Sequence, residues 1–123
     1  MPGLFSHLIA GYAMFIIGKY YFKNYFDNKN KEQLLLGVVC LSFSLIPDFS
    51  LGFYYMFHIS SFDILLHYHT FLHIIISPIA IVILLILKYR VNTKREPIWV
   101  IGLGCIVLHI AMDIFIPETG VLF

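Results

Sequence analysis

The sequence predicts an all-α polytopic membrane protein. It reads as one transmembrane domain over residues 1–123, with four transmembrane helices and an interfacial segment between helices two and three. Three observations predict this. The chain is 60% hydrophobic and 12% charged, with mean hydropathy +0.89, more apolar surface than a soluble domain of this size can bury. Its apolar runs approach the roughly 20 residues that cross a bilayer core as a helix. The eight lysines and arginines gather in two short stretches, Lys19, Lys23, Lys29, Lys31 and then Lys88, Arg90, Lys94, Arg95, and none of the six histidines falls among them. Helices are the expected element because lipid cannot satisfy the edge of an open sheet.

The first span covers residues 4–21. No basic residue precedes it and no small-residue cleavage site follows, so it reads as a retained helix and not a signal peptide. The second covers residues 34–47 and is short, with further apolar length at 51–57 beyond Asp48. The third covers residues 64–89 and carries the uninterrupted apolar run 79–87. The fourth covers residues 98–116 and is ended by Pro117. Asp63 is placed to cap the start of the third helix.

Short basic loops stay in the cytoplasm. Both basic stretches join consecutive spans, which puts both termini and the loop 49–63 outside the cytoplasm, in the periplasm of a bacterium, with the chain multi-pass in the inner (plasma) membrane. That outer loop is rich in Phe49, Phe53, Tyr54, Tyr55, Phe57 and Phe62, and aromatics favour the headgroup level. Net charge is +1, so the basic residues read as topology signals and not as a nucleic-acid surface. Cys40 and Cys105 sit inside apolar runs without CxxC spacing, as small buried hydrophobes do. The aromatics of the first helix, Tyr12, Phe15, Tyr20 and Tyr21, are expected to face lipid or to pack.

His7, His58, His67, His69, His73 and His109, with Asp48, Asp63 and Asp113, all belong to the outer side in this topology. His7 lies in the first turn of helix one. At 1.5 Å per residue, His69 and His73 lie roughly 8 and 14 Å below the start of helix three. His109 and Asp113 lie roughly 10 and 4 Å below the outer end of helix four. His69/His73 and His109/Asp113 are each i, i+4 pairs that share a helix face. Facing helices that each supply two ligands at that spacing are how bundles build metal centres. An Asp at the centre of a span costs about 2.5–3.5 kcal/mol and less near an interface. Metal coordination supplies about 10 kcal/mol or more in good sites, enough to offset it. Nitrogen and carboxylate ligands without thiolates suit Zn²⁺ first, then Mn²⁺ or Fe²⁺, over Ca²⁺.

Plainer readings stand beside these. A lone His7 or His58 near an interface is more often a solvated side chain. His67 serves equally well facing the headgroups, and Asp48 alone serves as a helix-end residue. The two i, i+4 pairs are harder to dismiss, and their alternative is an interhelical hydrogen-bond network.

Four short motifs in order, "FSHLIAGY" with His7, "SLIPDFS" with Asp48, "HYHTFLHI" with His69 and His73, and "LHIAMDIFIPETGVLF" with His109, Asp113 and Gly120, run over nearly the whole chain. In order and approximate spacing they resemble the YdjM-like family of inner-membrane metal-dependent hydrolases, described as LexA-regulated or LexA-binding. That family is similar in turn to zinc-dependent phospholipases C and related nucleases. Its central element usually reads His-Arg-x-x-Thr-His-Ser. Here no Arg or Thr stands in those places, so either His67 or His69 takes the first histidine's place. Asp48 is followed by Phe49 and Ser50, where the family often has a second Asp.

The residues and the resemblance together lead to metal-dependent hydrolysis at the outer face. Asp48, His73, His109 and Asp113 are the expected main ligands of a divalent metal, with His7 and His69 completing one or two metal positions. Asp63 or His67 is the expected general base. A site near the outer interface points to membrane lipids as neighbours and to a lipid or phosphoester substrate. The alternative is a non-catalytic metal-binding or transport protein. Transport would ask for polar residues continuing into the cytoplasmic half, where 79–87 is uniformly apolar. A third reading is a structural membrane subunit whose histidines hold helices together. A reporter active only in the cytoplasm, fused after Phe123, is expected to be silent; an active fusion would overturn the outward-facing site.

Overall fold

The computed structural model describes residues 4–48 and 62–115, and among them every regular element is helical. Helix α1 spans Leu4–Tyr21, α2 Lys23–Phe26, α3 Asn30–Leu45, α4 Phe62–Ile86 and α5 Glu96–Phe115. The first predicted span coincides with α1. The second starts earlier than expected, at Asn30, because the polar residues Asn30, Lys31, Glu32 and Gln33 form the first turn of α3. Helix α4 starts at Phe62, so Asp63 stands inside its first turn and does not precede it as a cap. The aromatic loop 49–61, with His58, lies outside the described residues, as does the segment after Phe115.

Local chemistry sets the helix ends. Asn28 adopts φ 59° between α2 and α3, a left-handed turn that Asn tolerates better than most residues. Pro47 has no N–H to continue the ladder, and α3 tightens into a 3-10 turn over Ile46–Asp48. The last turn of α4 widens into a π turn over Leu87–Val91, and a 3-10 turn at Thr93–Arg95 leads into α5.

Packing gives the directions. Gly11 of α1 abuts Ser44 and Cys40 of α3, while Phe15 meets Gly37, so the two helices run antiparallel. Gly18 meets Ile101 and Gly104 meets Met14, so α1 and α5 are antiparallel as well. Leu84 and Val39 both close on Gly102 of α5. The core between them includes Leu36, Leu84, Ile98 and Ile106, each fully buried, with Cys40 and Cys105 buried and free as expected. Glycines at these crossings let the helix backbones approach closely.

One end of the bundle carries the basic residues. There Arg95 reaches Glu32 at 3.0 Å through Nη2, Lys88 pairs with Glu96 at 3.3 Å, and the Trp99 indole donates to the Asn92 carbonyl at 3.1 Å. Burial and the Glu32 carboxylate raise the Tyr25 phenol above its ordinary value, so it stays protonated and donates to Glu32.

The outer surface is apolar. Tyr12, Tyr20 and Tyr21 of α1 are exposed, as are Ile74, Ile79 and Val82 of α4, Val107 of α5 and Leu34 of α3. Phe15 is half-buried against the core. Two stretches, His73–Val91 and Thr93–Phe115, are long and apolar enough to cross a membrane.

A Cβ at Gly11 would lie 2.6 Å from Ser44 Oγ and 3.1 Å from the Cys40 carbonyl oxygen, whereas one at Gly37 meets only Phe15 at 3.7 Å. Gly11→Leu is therefore expected to lower stability in mild detergent by about 1–3 kcal/mol and Gly37→Ala hardly at all. Thermal unfolding of the two variants checks this; equal midpoints would show that the α1–α3 crossing is slack.

Candidate metal centre

At the end opposite the basic residues, α1, the 3-10 turn after α3, α4 and α5 each deliver polar side chains to one point. His7 stands in the first turn of α1 and is fully buried. Asp48 ends the 3-10 turn and is 7% exposed. His69 and His73 come from one face of α4, and His109 and Asp113 from one face of α5. His69 and His109 are buried as completely as His7. The plain reading of His7, a solvated interfacial imidazole, is overturned: the residue packs against His109 with ring centroids 4.0 Å apart.

Four imidazole Nε2 atoms face two carboxylates. Asp48 Oδ1 lies 3.1 Å from His73 Nε2, 3.4 Å from His69 Nε2 and 3.7 Å from His109 Nε2. Asp48 Oδ2 lies 3.2 Å from His7 Nε2. Asp113 Oδ1 lies 3.4 Å from His7 Nε2, and its Oδ2 lies 3.4 Å from His73 Nε2 and 3.2 Å from His109 Nε2. The Nε2 atoms of His73 and His109 are 3.5 Å apart.

Directionality separates a ligand set from a hydrogen-bond network. The His73–Asp48 contact has hydrogen-bond geometry. Among the described residues, neither nitrogen of His7 nor either oxygen of Asp113 makes a hydrogen bond, although all four atoms are buried. Leaving buried polar groups unsatisfied costs about 1–3 kcal/mol each. His7 and Asp113 also belong, with Asp48 and His109, to a group whose ligand atoms lie within 4.8 Å of one another. With bonds of 2.0–2.2 Å, the edges of a tetrahedral zinc sphere are about 3.3–3.6 Å, and the contacts here bracket that length. The residues present fit a divalent cation.

One tautomer is fixed by the backbone. His109 Nδ1 lies 2.7 Å from the Ser44 carbonyl oxygen, so Nδ1–H donates there and Nε2 presents its lone pair to the cluster. In the 3-10 turn the accepting carbonyl is three residues back, not four. The Ser44 carbonyl, near the end of α3, is thereby left for the imidazole. Ligating histidines ordinarily hold their second nitrogen in this way. Sequence reading missed Ser44 because the role belongs to a main-chain oxygen, and no side-chain pattern advertises it.

All six residues expected from sequence as ligands meet in this cluster. Of the two residues expected as general base, Asp63 and His67, the backbones belong to α4 and the side chains lie outside the described residues. The way in is marked by exposure. The His73 and Asp113 side chains are 15% and 12% exposed, against 1% for His7 and His109. A separate groove of about 450 Å³ runs along the outside of α1 and α3, past Phe15, Gly37 and Leu41; it does not include the cluster.

Compared with family models, curated proteins and solved structures, the chain finds no match.

A ligand that binds only the folded state stabilises it by about 2.7 kcal/mol at a hundredfold excess over its dissociation constant. Zn²⁺ added to chelator-treated protein in mild detergent is expected to raise the thermal midpoint, and His109→Ala to abolish that rise. A wild type indifferent to Zn²⁺, Mn²⁺ and Fe²⁺ alike would leave only the helix-bridging reading.

Proposed function

We propose that the chain is a membrane-embedded metal-dependent hydrolase of four spans, with its centre at the outer, periplasmic face and both termini on that side. The observation that carries this reading is the meeting of His7, Asp48, His69, His73, His109 and Asp113 at one end of the bundle, opposite every basic residue. The exposed apolar belt supports a lipid surround. Helix α1, at 18 residues, spans about 27 Å, close to the thickness of a bilayer core.

The donor set supports hydrolysis over a purely structural role. Structural zinc sites are closed and usually rich in thiolate, whereas catalytic ones combine histidine and carboxylate with an open position. Here no cysteine joins the cluster, and His73 and Asp113 retain access. A bound Zn²⁺, or Mn²⁺ or Fe²⁺ in its place, supplies Lewis acidity and an acidified water. The protein holds the geometry: Ser44 orients His109, and Asp48 ties the end of α3 to α1, α4 and α5. The Asp113 carboxylate, two residues from the end of α5, lines the mouth with His73. A mouth at headgroup depth favours a phosphoester or lipid-like substrate. The resemblance to YdjM-like hydrolases points the same way.

Purified protein is expected to hydrolyse a chromogenic phosphodiester, or phospholipid in mixed micelles, only when loaded with metal. His109→Ala and Asp113→Ala are each expected to remove metal and activity together while membrane insertion persists. The double variant should be hardly worse than either single one, because both residues serve one centre. Metal retained in the variants with only stability lowered would retire the hydrolase and leave a packing role.

A further inference from the structure

The groove on the outer flank of α1 and α3 lies apart from the cluster. Its larger part, about 450 Å³, is lined by Asn30 and Gln33 at the basic end and by Phe15, Gly37 and Leu41 further in. A smaller part of about 190 Å³ shares Phe15, Gly37 and Leu41 and continues to Gly11 and Tyr12. Gly37 leaves the space open, because a Cβ there would meet only Phe15, at 3.7 Å. Beyond Asn30 and Gln33 the lining side chains are apolar.

Length narrows the occupant. On α3 the larger part covers residues 30–41, about 16 Å at 1.5 Å per residue. A second copy packed here would bring a helix that runs on through a bilayer core of about 30 Å. The groove stops at roughly half that depth, the reach of one lipid tail in one leaflet.

Charge narrows the headgroup. Lys19 holds its ammonium 5.5 Å from the centroid of the Phe15 ring, beside the groove. Lys29 and Lys31 flank Asn30 in the chain. Of the acids at this end, Glu32 is held by Arg95 and Glu96 by Lys88, which leaves Asp27 against Lys19, Lys23, Lys29 and Lys31. The mouth is also fixed in place, since the Gln33 side-chain amide donates to the Phe26 carbonyl at 2.9 Å. Basic groups gathered at the end of a span attract anionic lipid.

We propose that this groove binds one anionic phospholipid from the leaflet at the basic end, with its phosphate beside Lys19 and Asn30 and one tail laid along Phe15, Gly37 and Leu41. This rests on the membrane reading above and adds to it a lipid site separate from the metal centre. The lipid held there is a resident partner and not a substrate, because the groove stops at Gly11, one turn short of His7.

The test strips lipid and returns it. The full chain in mild detergent is freed of native lipid, incubated with mixed micelles of phosphatidylglycerol or of phosphatidylcholine, separated by gel filtration and assayed for phosphorus per chain. One phosphatidylglycerol per wild-type chain is expected, with little phosphatidylcholine. Gly37→Leu, whose side chain would fill the groove, is expected to retain almost none, and Lys19→Gln to hold phosphatidylglycerol about fivefold more weakly. Circular dichroism reports whether the helices of each variant are intact. Equal retention of the two lipids, or a Lys19→Gln chain as retentive as wild type, would overturn the headgroup selection. Undiminished retention by Gly37→Leu would overturn the groove as the site. A wild type that retains no lipid would overturn the proposal outright; elution as a dimer that Gly37→Leu dissociates would then give the groove to a second copy. None of these results touches metal binding. Release of the chain from membranes by alkaline carbonate would instead sink the membrane reading and the lipid site together.

Discussion

The Asp48 carboxylate is the interaction on which the rest of the structure depends. Four imidazoles surround it, from α1, α4 and α5, and it stands at the end of α3. Every long helix of the described chain therefore has its end fixed by reference to one side chain. Pro47 cannot extend the α-helical ladder, and the 3-10 turn that contains it ends at Asp48, beside the Ser44 carbonyl that accepts from His109.

Such a cluster is costly without a cation. Buried carboxylates lose hydration that contacts with imidazoles repay only in part. With His109 presenting a lone pair, and His7 and Asp113 lacking aligned hydrogen bonds, the cluster gathers unfavourable electrostatics at the ends of four helices. A cation held there, as proposed above, would relieve this and link binding to bundle stability through the same groups. The opposite end is built differently. Its ion pairs, such as Arg95 with Glu32, are partly exposed, and pairs of that kind contribute about 0–1 kcal/mol. They orient the loops more than they stabilise the bundle.

Much of this was legible in the sequence because apolar run length and i, i+4 spacing are simple patterns. Apolar run length located the long helices, and α1 has the bounds expected of it. The i, i+4 pairs His69/His73 and His109/Asp113 announced shared faces. Segregation of histidine from lysine and arginine announced one polar end. What remained illegible depended on three-dimensional closure. His7 stands alone in its helix with no periodic partner, so nothing local marked it as a buried ligand rather than a solvated imidazole. His67 and His69 differ by two residues in a histidine-rich stretch; the structure brings His69 to the cluster. The helix start at Asn30 was hidden because its first turn is polar and carries no apolar periodicity.

Below the cluster the bundle closes. Gly11 presses against Ser44 and Cys40 one turn beyond His7, and Leu36, Leu84, Cys105 and Ile106 fill the next layers with relative exposures of 0–1%. The only buried polar side chain of α4 beyond His73 is Ser77, among the described residues. A cation leaving the cluster toward the basic end would meet apolar side chains with no oxygen or nitrogen to replace its ligands, and hydration would have to be surrendered across several layers. It would then arrive among Lys88, Lys94 and Arg95, whose charges repel it. Both barriers oppose passage through the bundle, while His73 and Asp113 keep partial exposure at the cluster end. Access at the cluster end with closed apolar layers behind it agrees with the hydrolase proposed above better than with the alternative of a conduit.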